Sequence, residues 1–108
     1  MNKQHLLNSL KSHGISKQTL KVFDKVKREN FVPKEVLNAA YEDTALPIGE
    51  GQTISQPYTI AVMLDLLDSK PGQKVLEIGS GSGYVLAIIS EIVGKKGKVY
   101  GLEIVKSL

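Results

Sequence analysis

Residues 75–84 read VLEIGSGSGY, a short apolar run that leads into alternating glycines and an aromatic residue. The run 75–78 is typical of a short buried strand, and an apolar helical pattern follows from residue 84 until Gly94 ends it. A second strand is predicted from residue 98 to residue 103. A strand, a glycine loop, a helix and another strand in this order indicate two parallel strands joined by a right-handed crossover.

The loop between these strands suits a ligand that lies against the backbone. Glycines allow a tight turn and a close approach to the main chain, and free N–H groups at a helix start bind polar or anionic atoms. Glu103 follows about 20 residues later, where a carboxylate can accept hydrogen bonds from ribose hydroxyls. Together these features indicate a nucleoside-ligand site rather than a purely structural turn. Its candidate residues are Gly79, Ser80, Gly81, Ser82, Gly83 and Glu103.

The type of nucleoside is suggested by the glycine spacing and by Glu77. The chain has G-x-G-x-G, whereas the dinucleotide fingerprint is G-x-G-x-x-G. A carboxylate at Glu77 would attract a cationic ligand and repel a pyrophosphate; the alternative is an ordinary strand-end acid that accepts a backbone hydrogen bond. Both features favour S-adenosyl-L-methionine, which carries positive charge, over NAD. An NAD-dependent enzyme remains a further hypothesis.

Two resemblances follow from these residues. Residues 75–84 resemble the first motif of class I S-adenosyl-L-methionine-dependent methyltransferases, and VYGLE at residues 99–103 resembles their acidic second-strand motif. Residues 46–58, LPIGEGQTISQPY, closely resemble the upstream loop of the protein-L-isoaspartate O-methyltransferases, and residues 31–33 and 40–43 are similar to that family as well. The resemblance covers the chain from about residue 31 onward.

The family resemblance implies an activity and a set of site residues. Members transfer a methyl group from S-adenosyl-L-methionine to the free carboxylate of L-isoaspartyl residues in damaged proteins, which initiates repair and leaves S-adenosyl-L-homocysteine. The active-site residue is then Ser55, whose hydroxyl would hold the substrate; the alternative role is a cap for the helix that begins at Pro57. The residues implied to line the cofactor and substrate cleft are Gln52, Thr53 and Ile54, with Ile104 against the adenine.

The expected architecture is α/β, with N-terminal helices followed by the first strands of a Rossmann-like methyltransferase sheet. We predict a helical segment over residues 1–45 and the first part of the methyltransferase domain over residues 46–108. Within the helical segment, Gly14 is the predicted stop of the first helix, Ser16 caps the second, and Pro33 starts a third that runs through residue 40.

The following segment divides into a loop and a helix. Residues 46–56 combine glycines, a proline and small polar residues, a composition that predicts an ordered loop rather than a helix. An amphipathic helix is predicted to begin at Pro57. Its expected inward-facing residues are Ile60, Ala61, Met63, Leu64 and Leu67.

The predicted sheet is incomplete at its C-terminal side. Parallel sheets are covered on both faces and need several neighbouring strands, and Leu108 stands where a second crossover helix should begin. We therefore expect the front part of a larger domain. The alternative function is a truncated, catalytically incompetent fragment that binds cofactor or a partner, and its unpaired strand edges would permit self-association.

The composition of the chain excludes several kinds of functional site. The chain has no cysteine, which excludes disulfides, thiolate zinc sites and cysteine nucleophiles. No apolar run is long enough to cross a membrane, and we expect a cytoplasmic protein. Residues 1–34 hold eight Lys or Arg against two acids, which we interpret as a solvated helical face rather than a nucleic-acid surface. His5 and His13 lack a third ligand at metal spacing, so no metal site is predicted.

Overall fold

The chain is described from residue 2 to residue 106 by a computed structural model. Its N-terminal third is helical, a β-hairpin follows, and a strand–helix–strand unit completes the described part. In chain order the elements are α1 (Lys3–Ser12), α2 (Lys17–Lys25), two 3-10 helices (Arg28–Phe31 and Lys34–Ala39), β1 (Leu46–Gly49), β2 (Gln52–Ile54), α3 (Pro57–Leu67), β3 (Lys74–Ile78), α4 (Tyr84–Val93) and β4 (Lys98–Leu102). The predicted second crossover helix at residue 108 lies outside the described residues.

The first two helices begin where the sequence offers a capping side chain. The Asn2 carboxamide oxygen accepts a hydrogen bond from the His5 amide at 2.8 Å, and Ser16 Oγ accepts one from the Thr19 amide at 3.2 Å. Such caps satisfy amides that have no partner within the helix. Gly14 separates the helices with a φ of +87°, which L side chains rarely adopt. The predicted stop at Gly14 and cap at Ser16 are therefore confirmed.

The third predicted helix is present in a tighter form. Lys34–Ala39 is a 3-10 helix, and Pro33 precedes it in an extended conformation instead of forming its first turn. A further 3-10 turn, Arg28–Phe31, lies between this element and α2. Segments of four to six residues are too short to show the apolar period that distinguishes one helix type from another.

Residues 46–56, which we expected to form a loop, contain a short antiparallel hairpin. Leu46 and Ile54 pair across the two strands, and both are buried. Glu50 and Gly51 make the turn, with φ values of 55° and 70°. The two apolar ends of the hairpin thus join the core, and the glycines and small polar residues between them obscured the strand pattern in the sequence.

The strand–helix–strand unit has the predicted connection. β3 and β4 pair in parallel, in register from Lys74 opposite Lys98 to Ile78 opposite Leu102. β4 ends at Leu102, one residue earlier than predicted, so Glu103 lies just after the strand. α4 crosses between the strands, and its apolar side is buried. The buried residues of α4 are Tyr84, Ile88, Ile89, Ile92 and Val93.

The other face of this unit is open. Met63 and Leu67 on α3 are 64% and 52% exposed, and Ile78 on β3 is 79% exposed. The predictions that these helix residues point inward and that the strand is buried are therefore wrong. The helical spacing of apolar residues in α3 identified an apolar face, but no element within residues 2–106 covers that face. With Leu66 and Leu76, these residues line an apolar groove of about 600 Å³ between α3 and β3, called the open groove below.

Other residues of α3 are buried as predicted, and the helix is tied to α2 by Asp65. Ile60, Ala61 and Leu64 are buried. One oxygen of Asp65 accepts a hydrogen bond from the Ser16 amide at 2.9 Å, and the other accepts from the Ser16 hydroxyl at 2.7 Å. The α2 N-terminus is therefore held both by its own cap and by a carboxylate from the neighbouring helix.

The charge state of Asp65 follows from these contacts. The Thr19 hydroxyl donates a third hydrogen bond, at 2.6 Å. Burial raises the pKa of the Asp65 carboxyl, but the hydrogen bonds from Thr19 and Ser16 outweigh it, so the pKa lies below its usual value.

We expect Asp65→Ala to lower the free energy of unfolding by about 1–3 kcal/mol, because three donors lose a charged acceptor. The pKa is lower in the folded chain than its unfolded value of about 3.9, so this contribution is complete above about pH 4 and is lost as the pH falls through the folded pKa. Urea unfolding of the variant and the parent chain near pH 7 and near pH 3 measures the difference, which should shrink at the lower pH.

A matched control is Asp24→Ala, which removes a mostly exposed carboxylate 3.7 Å from Lys3 Nζ. It should change the free energy of unfolding by less than about 0.5 kcal/mol. A loss for Asp65→Ala that is no larger than this, or one that grows toward low pH, would contradict the assignment.

Candidate active site

The glycine loop, residues 79–83, joins β3 to α4 and folds over the end of β4. The Gly79 amide donates a hydrogen bond to the Leu102 carbonyl at 2.7 Å. Gly79, Gly81 and Gly83 have φ values of +77°, +54° and +87°, in the region that favours glycine. The backbone path therefore requires these residues, and it leaves the loop without bulky side chains at its glycine positions.

Glu103 holds this loop from the end of β4. One oxygen of its carboxylate accepts a hydrogen bond from the Gly81 amide at 2.8 Å, and the other accepts one from the Val105 amide at 3.0 Å. The amides of Val105 and Gly81 lower the pKa of Glu103, against a smaller opposing effect of desolvation. The group is therefore an anion at neutral pH, and its remaining lone pairs can accept ligand hydroxyls. Ile104, the next residue, is 96% exposed.

Glu77 lies on β3 in the wall of the open groove. Its Oε1 is buried and has no hydrogen-bond partner within residues 2–106. The alternative that this residue simply accepts a backbone hydrogen bond does not match that environment. Burial raises the pKa of the Glu77 carboxyl, and a buried oxygen without a donor is energetically costly. The position therefore suits a ligand that brings a cation or a hydrogen-bond donor.

Ser55 follows β2 and lines the same open groove as Glu77. Its side chain is exposed. Ser55 does not cap α3, because the N-cap position is Gln56 and has no side-chain capping bond. The Tyr58 amide instead donates to an Asp43 carboxylate oxygen at 2.9 Å. The hydroxyl of Ser55 is thus not engaged in the alternative role that the sequence left open.

The hairpin brings its other predicted residues to different environments. Gln52 and Thr53 are exposed on β2, whereas the side chain of Ile54 is 5% exposed and packs in the core. The hairpin also lies against the glycine loop, since Ile48 Cδ1 is 3.5 Å from the position that a Cβ on Gly81 would occupy. Two sequence segments that are distant in the chain are therefore adjacent at the candidate site.

Arg28 belongs to this region and was missed by the sequence interpretation, which counted it among the solvated bases. Its side chain is 0% exposed. Its Nη2 donates hydrogen bonds to the Ser55 carbonyl at 3.0 Å and to the Thr44 carbonyl at 3.4 Å. Burial lowers the pKa of Arg28, with an opposing effect from Tyr84. The available signal was that Arg28 is the only arginine among 14 basic residues.

Tyr84 packs against the N-terminal helical segment. Its ring lies 5.2 Å from Arg28 Cζ, and it contacts Phe31 and Phe23 with ring centroids 5.5 and 6.2 Å away. Burial raises the pKa of Tyr84 to about 12, so its hydroxyl is neutral at physiological pH. The first residue after the glycine loop therefore anchors that loop to the helical segment.

Comparison with known proteins identifies the family of this chain. The model of the protein-L-isoaspartate(D-aspartate) O-methyltransferase family matches residues 1–108. The chain belongs to this family. The match includes the helical N-terminus, which the sequence motifs alone had not linked to it, and the isoaspartyl methyltransferase resemblance is confirmed.

Relatives of this methyltransferase family agree. The chain is 47% identical to a protein-L-isoaspartate O-methyltransferase of Methanothrix thermoacetophila, over 100% of this chain and 51% of the relative. It is 48% identical to the enzyme of that name from Thermosipho melanesiensis, over 92% of this chain and 50% of the relative. The chain thus spans about half the length of the curated relatives it matches.

A solved structure of the family agrees with the fold. A protein-L-isoaspartate O-methyltransferase from Plasmodium falciparum, in complex with S-adenosyl-L-homocysteine, superposes with a TM-score of 0.88 at 33% identity, over 100% of this chain and 51% of that chain. The predicted fold, an N-terminal helical segment with the first strands of a Rossmann-like methyltransferase sheet, is confirmed.

Two further observations concern membrane and metal binding. Between residues 2 and 106, no helix combines the length and apolar character needed to cross a bilayer. Over the same range, no three His, Cys, Asp or Glu side chains are grouped as a metal ion would require. His5 and His13 are both exposed, and the His13 ring contacts Tyr58 at 5.6 Å between centroids.

The two amide contacts to Glu103 predict how two amide resonances respond to pH. The Gly81 and Val105 amide resonances should shift together as the pH is lowered, because both donate to one carboxylate. The midpoint should lie below about 4.3, the usual glutamate value. An NMR titration of the chain measures it, and Glu103→Gln should abolish the shared shift. Separate midpoints for the two amides, or a common midpoint above the usual value, would refute the shared contact.

Proposed function

We propose that this chain forms the methyl-donor side and part of the substrate side of an enzyme that methylates L-isoaspartyl residues in damaged proteins. The acceptor is the free carboxylate of the isoaspartyl residue, and its methylation initiates repair. The observation that carries the proposal is the placement of the exposed Ser55 and the unpaired Glu77 oxygen in one groove, beside a glycine loop held by Glu103.

The residues at the glycine loop fit S-adenosyl-L-methionine. The buried Glu77 oxygen has no donor in the described part of the chain, residues 2–106, and the cofactor's ammonium and sulfonium groups would compensate its charge. Glu103 retains acceptor capacity for ribose hydroxyls, and the exposed Ile104 offers an apolar surface for adenine. Further backbone and hydroxyl contacts are assigned to Gly79, Ser80, Gly81, Ser82 and Gly83. The Plasmodium falciparum relative, which is in complex with S-adenosyl-L-homocysteine, supports this assignment.

The substrate side is assigned to the hairpin and the residue that follows it. We assign the Ser55 hydroxyl to holding the isoaspartyl carboxylate or the adjacent backbone. Gln52 and Thr53, exposed on β2, would line the cleft shared by cofactor and substrate, whereas the buried Ile54 side chain would support that cleft from the core. These residues orient the acceptor and exclude water, which is what a transfer between two bound groups requires.

No general base is required. A free carboxylate of this type has a pKa of about 3.3–3.7 and is ionised at neutral pH. When bound, S-adenosyl-L-methionine supplies the methyl group and leaves as S-adenosyl-L-homocysteine. A Ser55 hydroxyl that donates a hydrogen bond is therefore chemically sufficient, and Ser55 need not act as a nucleophile.

The partners are isoaspartyl-containing proteins and peptides. We retain the division into residues 1–45 and 46–108 as part of the proposal, with the second part carrying the assigned site residues. The sequence contains no cysteine, which is compatible with a reducing compartment, and we propose the cytoplasm. Within residues 2–106 the parallel sheet holds only β3 and β4, and their unpaired edges would permit self-association.

Methyl transfer to a matched pair of peptides tests the function. The peptides differ only in one isoaspartyl or aspartyl residue, and label is transferred from S-adenosyl-L-methionine. Two proteins are assayed: the 108-residue chain and a chimaera in which the part of the Methanothrix thermoacetophila relative beyond the matched half follows it. We expect the chimaera to label the isoaspartyl peptide alone.

The chain without that extension decides where activity resides. Labelling by both proteins would mean that residues 1–108 suffice, and labelling by the chimaera alone would mean that the second half of the domain is needed. The complete Methanothrix enzyme is the positive control. Equal labelling of the two peptides, or no labelling by a chimaera that binds S-adenosyl-L-homocysteine, would refute the proposed function.

Ser55→Ala in the chimaera should separate catalysis from cofactor binding. Loss of one hydrogen bond to a charged group costs about 1.5–3 kcal/mol, so we expect kcat/KM for the isoaspartyl peptide to fall by about 10- to 100-fold. The dissociation constant of S-adenosyl-L-homocysteine should change by less than about twofold, since the cofactor is assigned to other residues.

The matched control for this variant is Ser90→Ala, the same chemical change at an exposed position on α4. It should leave both kcat/KM and cofactor affinity near those of the parent. A parallel loss of methyl transfer and cofactor binding in Ser55→Ala would count against the role assigned to Ser55.

A further inference from the structure

We infer that Arg28 is a positioning residue for Ser55: its buried guanidinium holds the backbone that carries the serine and thereby sets where the hydroxyl stands in the open groove. The inference rests on the proposed function of Ser55. Arg28 itself does not line that groove, and its influence on the reaction would pass through the main chain of Ser55.

Arg28 joins the two ends of the hairpin. Thr44 lies just before β1 and Ser55 just after β2, and Nη2 of Arg28 donates to the carbonyl oxygens of both, at 3.4 and 3.0 Å. A single charged donor therefore closes the base of the hairpin. The contact to Ser55 is made by the residue's own carbonyl group, so any displacement of the guanidinium changes the position of the serine directly.

A second contact restrains the chain on the other side of Ser55. The Tyr58 amide donates to an Asp43 carboxylate oxygen at 2.9 Å, and Gln56 Nε2 donates to the Asp43 carbonyl at 3.2 Å. The segment is thus held at Ser55 by Arg28 and just beyond it by Asp43. Removal of the arginine should loosen the serine while the start of α3 keeps its own anchor.

The guanidinium is in turn held by the helix that follows the glycine loop. Tyr84 faces it at 5.2 Å, and the Tyr84 ring is itself packed against Phe31 and Phe23. Arg28 therefore connects the hairpin, which carries the proposed substrate residue, to the first residue of α4, which follows the proposed cofactor loop. This connection aligns the two halves of the proposed site.

Only part of the hydrogen-bonding capacity of Arg28 is used within residues 2–106. Its Nε and Nη1 are buried without a hydrogen-bond partner within residues 2–106. Burying a cation costs desolvation free energy, which its hydrogen bonds only partly offset, so a buried arginine with unpaired donors is a weak source of net stability. A role in geometry therefore explains the arginine better than a role in holding the fold together.

The test compares Arg28→Met, Arg28→Lys and a stability control, Leu10→Ala, in the full chain and in the chimaera described above. Methionine removes both donors and charge, whereas lysine keeps the charge but loses the planar group that reaches two carbonyls. Leu10 is fully buried on α1, so its truncation weakens the core without touching a hydrogen bond of the hairpin.

Hydrogen exchange provides the readout that does not depend on activity. In Arg28→Met we expect exchange of the amides in residues 52–55 to accelerate by about tenfold or more relative to the amides of α1, because a local opening becomes easier. Arg28→Lys should give an intermediate effect. Leu10→Ala should accelerate exchange in α1 at least as much as in the hairpin.

Kinetics in the chimaera provide the second readout. A displaced serine should lower kcat/KM for the isoaspartyl peptide by about 10- to 100-fold in Arg28→Met, with partial recovery in Arg28→Lys. The dissociation constant of S-adenosyl-L-homocysteine should stay within about twofold of the parent, since the glycine loop keeps its own contacts to Leu102 and Glu103. Leu10→Ala should lower the unfolding temperature and leave kcat/KM near the parent value.

Two results would overturn the inference. One is an exchange increase in Arg28→Met that is uniform over the chain, and the other is a kcat/KM that does not change when the hairpin loosens. If Arg28→Met does not fold, Arg28→Lys decides by the same two readouts. If a parent chimaera that binds S-adenosyl-L-homocysteine methylates no isoaspartyl peptide, the proposed function fails, and the exchange readout still decides whether Arg28 holds Ser55.

Discussion

The parallel, in-register pairing of β3 with β4 is the constraint on which the site depends. Because parallel strands end at the same edge of a sheet, the glycine loop and Glu103 meet there without any long side chain having to span between them. The Gly81 amide and the Glu103 carboxylate then fix each other's position. A slip of this register would separate the loop from the acid and leave the backbone amides without their charged partner.

The helical segment and the hairpin attach to this pair through α4. Tyr84 carries the connection, since its ring packs against Phe23 and Phe31 and faces the buried Arg28. The guanidinium donates hydrogen bonds to the carbonyl groups at both ends of the hairpin. The segment around Ser55 is therefore held in position relative to α4, the helix that follows the glycine loop. The open groove between α3 and β3, by contrast, includes exposed apolar side chains such as Met63, Leu66 and Ile78, in a chain that spans about half the length of the relatives it matches.

Local chemistry explains what the sequence could predict. Residues close in sequence determine where a helix is capped, where it stops and which of its sides is apolar. The cap at Ser16, the stop at Gly14 and the apolar side of α4 were therefore predictable. The open groove was not, because the period of α3 shows which side is apolar and says nothing about whether another element covers it. The buried Arg28 was missed for a related reason: burial of a charged side chain depends on aromatic rings and carbonyl groups from three distant segments, none of which is visible at its own position in the chain.

A ligand-dependent unfolding measurement on the chain tests whether the glycine loop and Glu103 form the proposed site for an S-adenosyl-L-methionine-type nucleoside. At a concentration of S-adenosyl-L-homocysteine about 100 times its dissociation constant, we predict a rise in unfolding temperature of about 10 °C. NADH should give no rise, and Glu103→Ala should reduce the effect of S-adenosyl-L-homocysteine. A rise with NADH and none with S-adenosyl-L-homocysteine would show that the site does not bind this type of nucleoside.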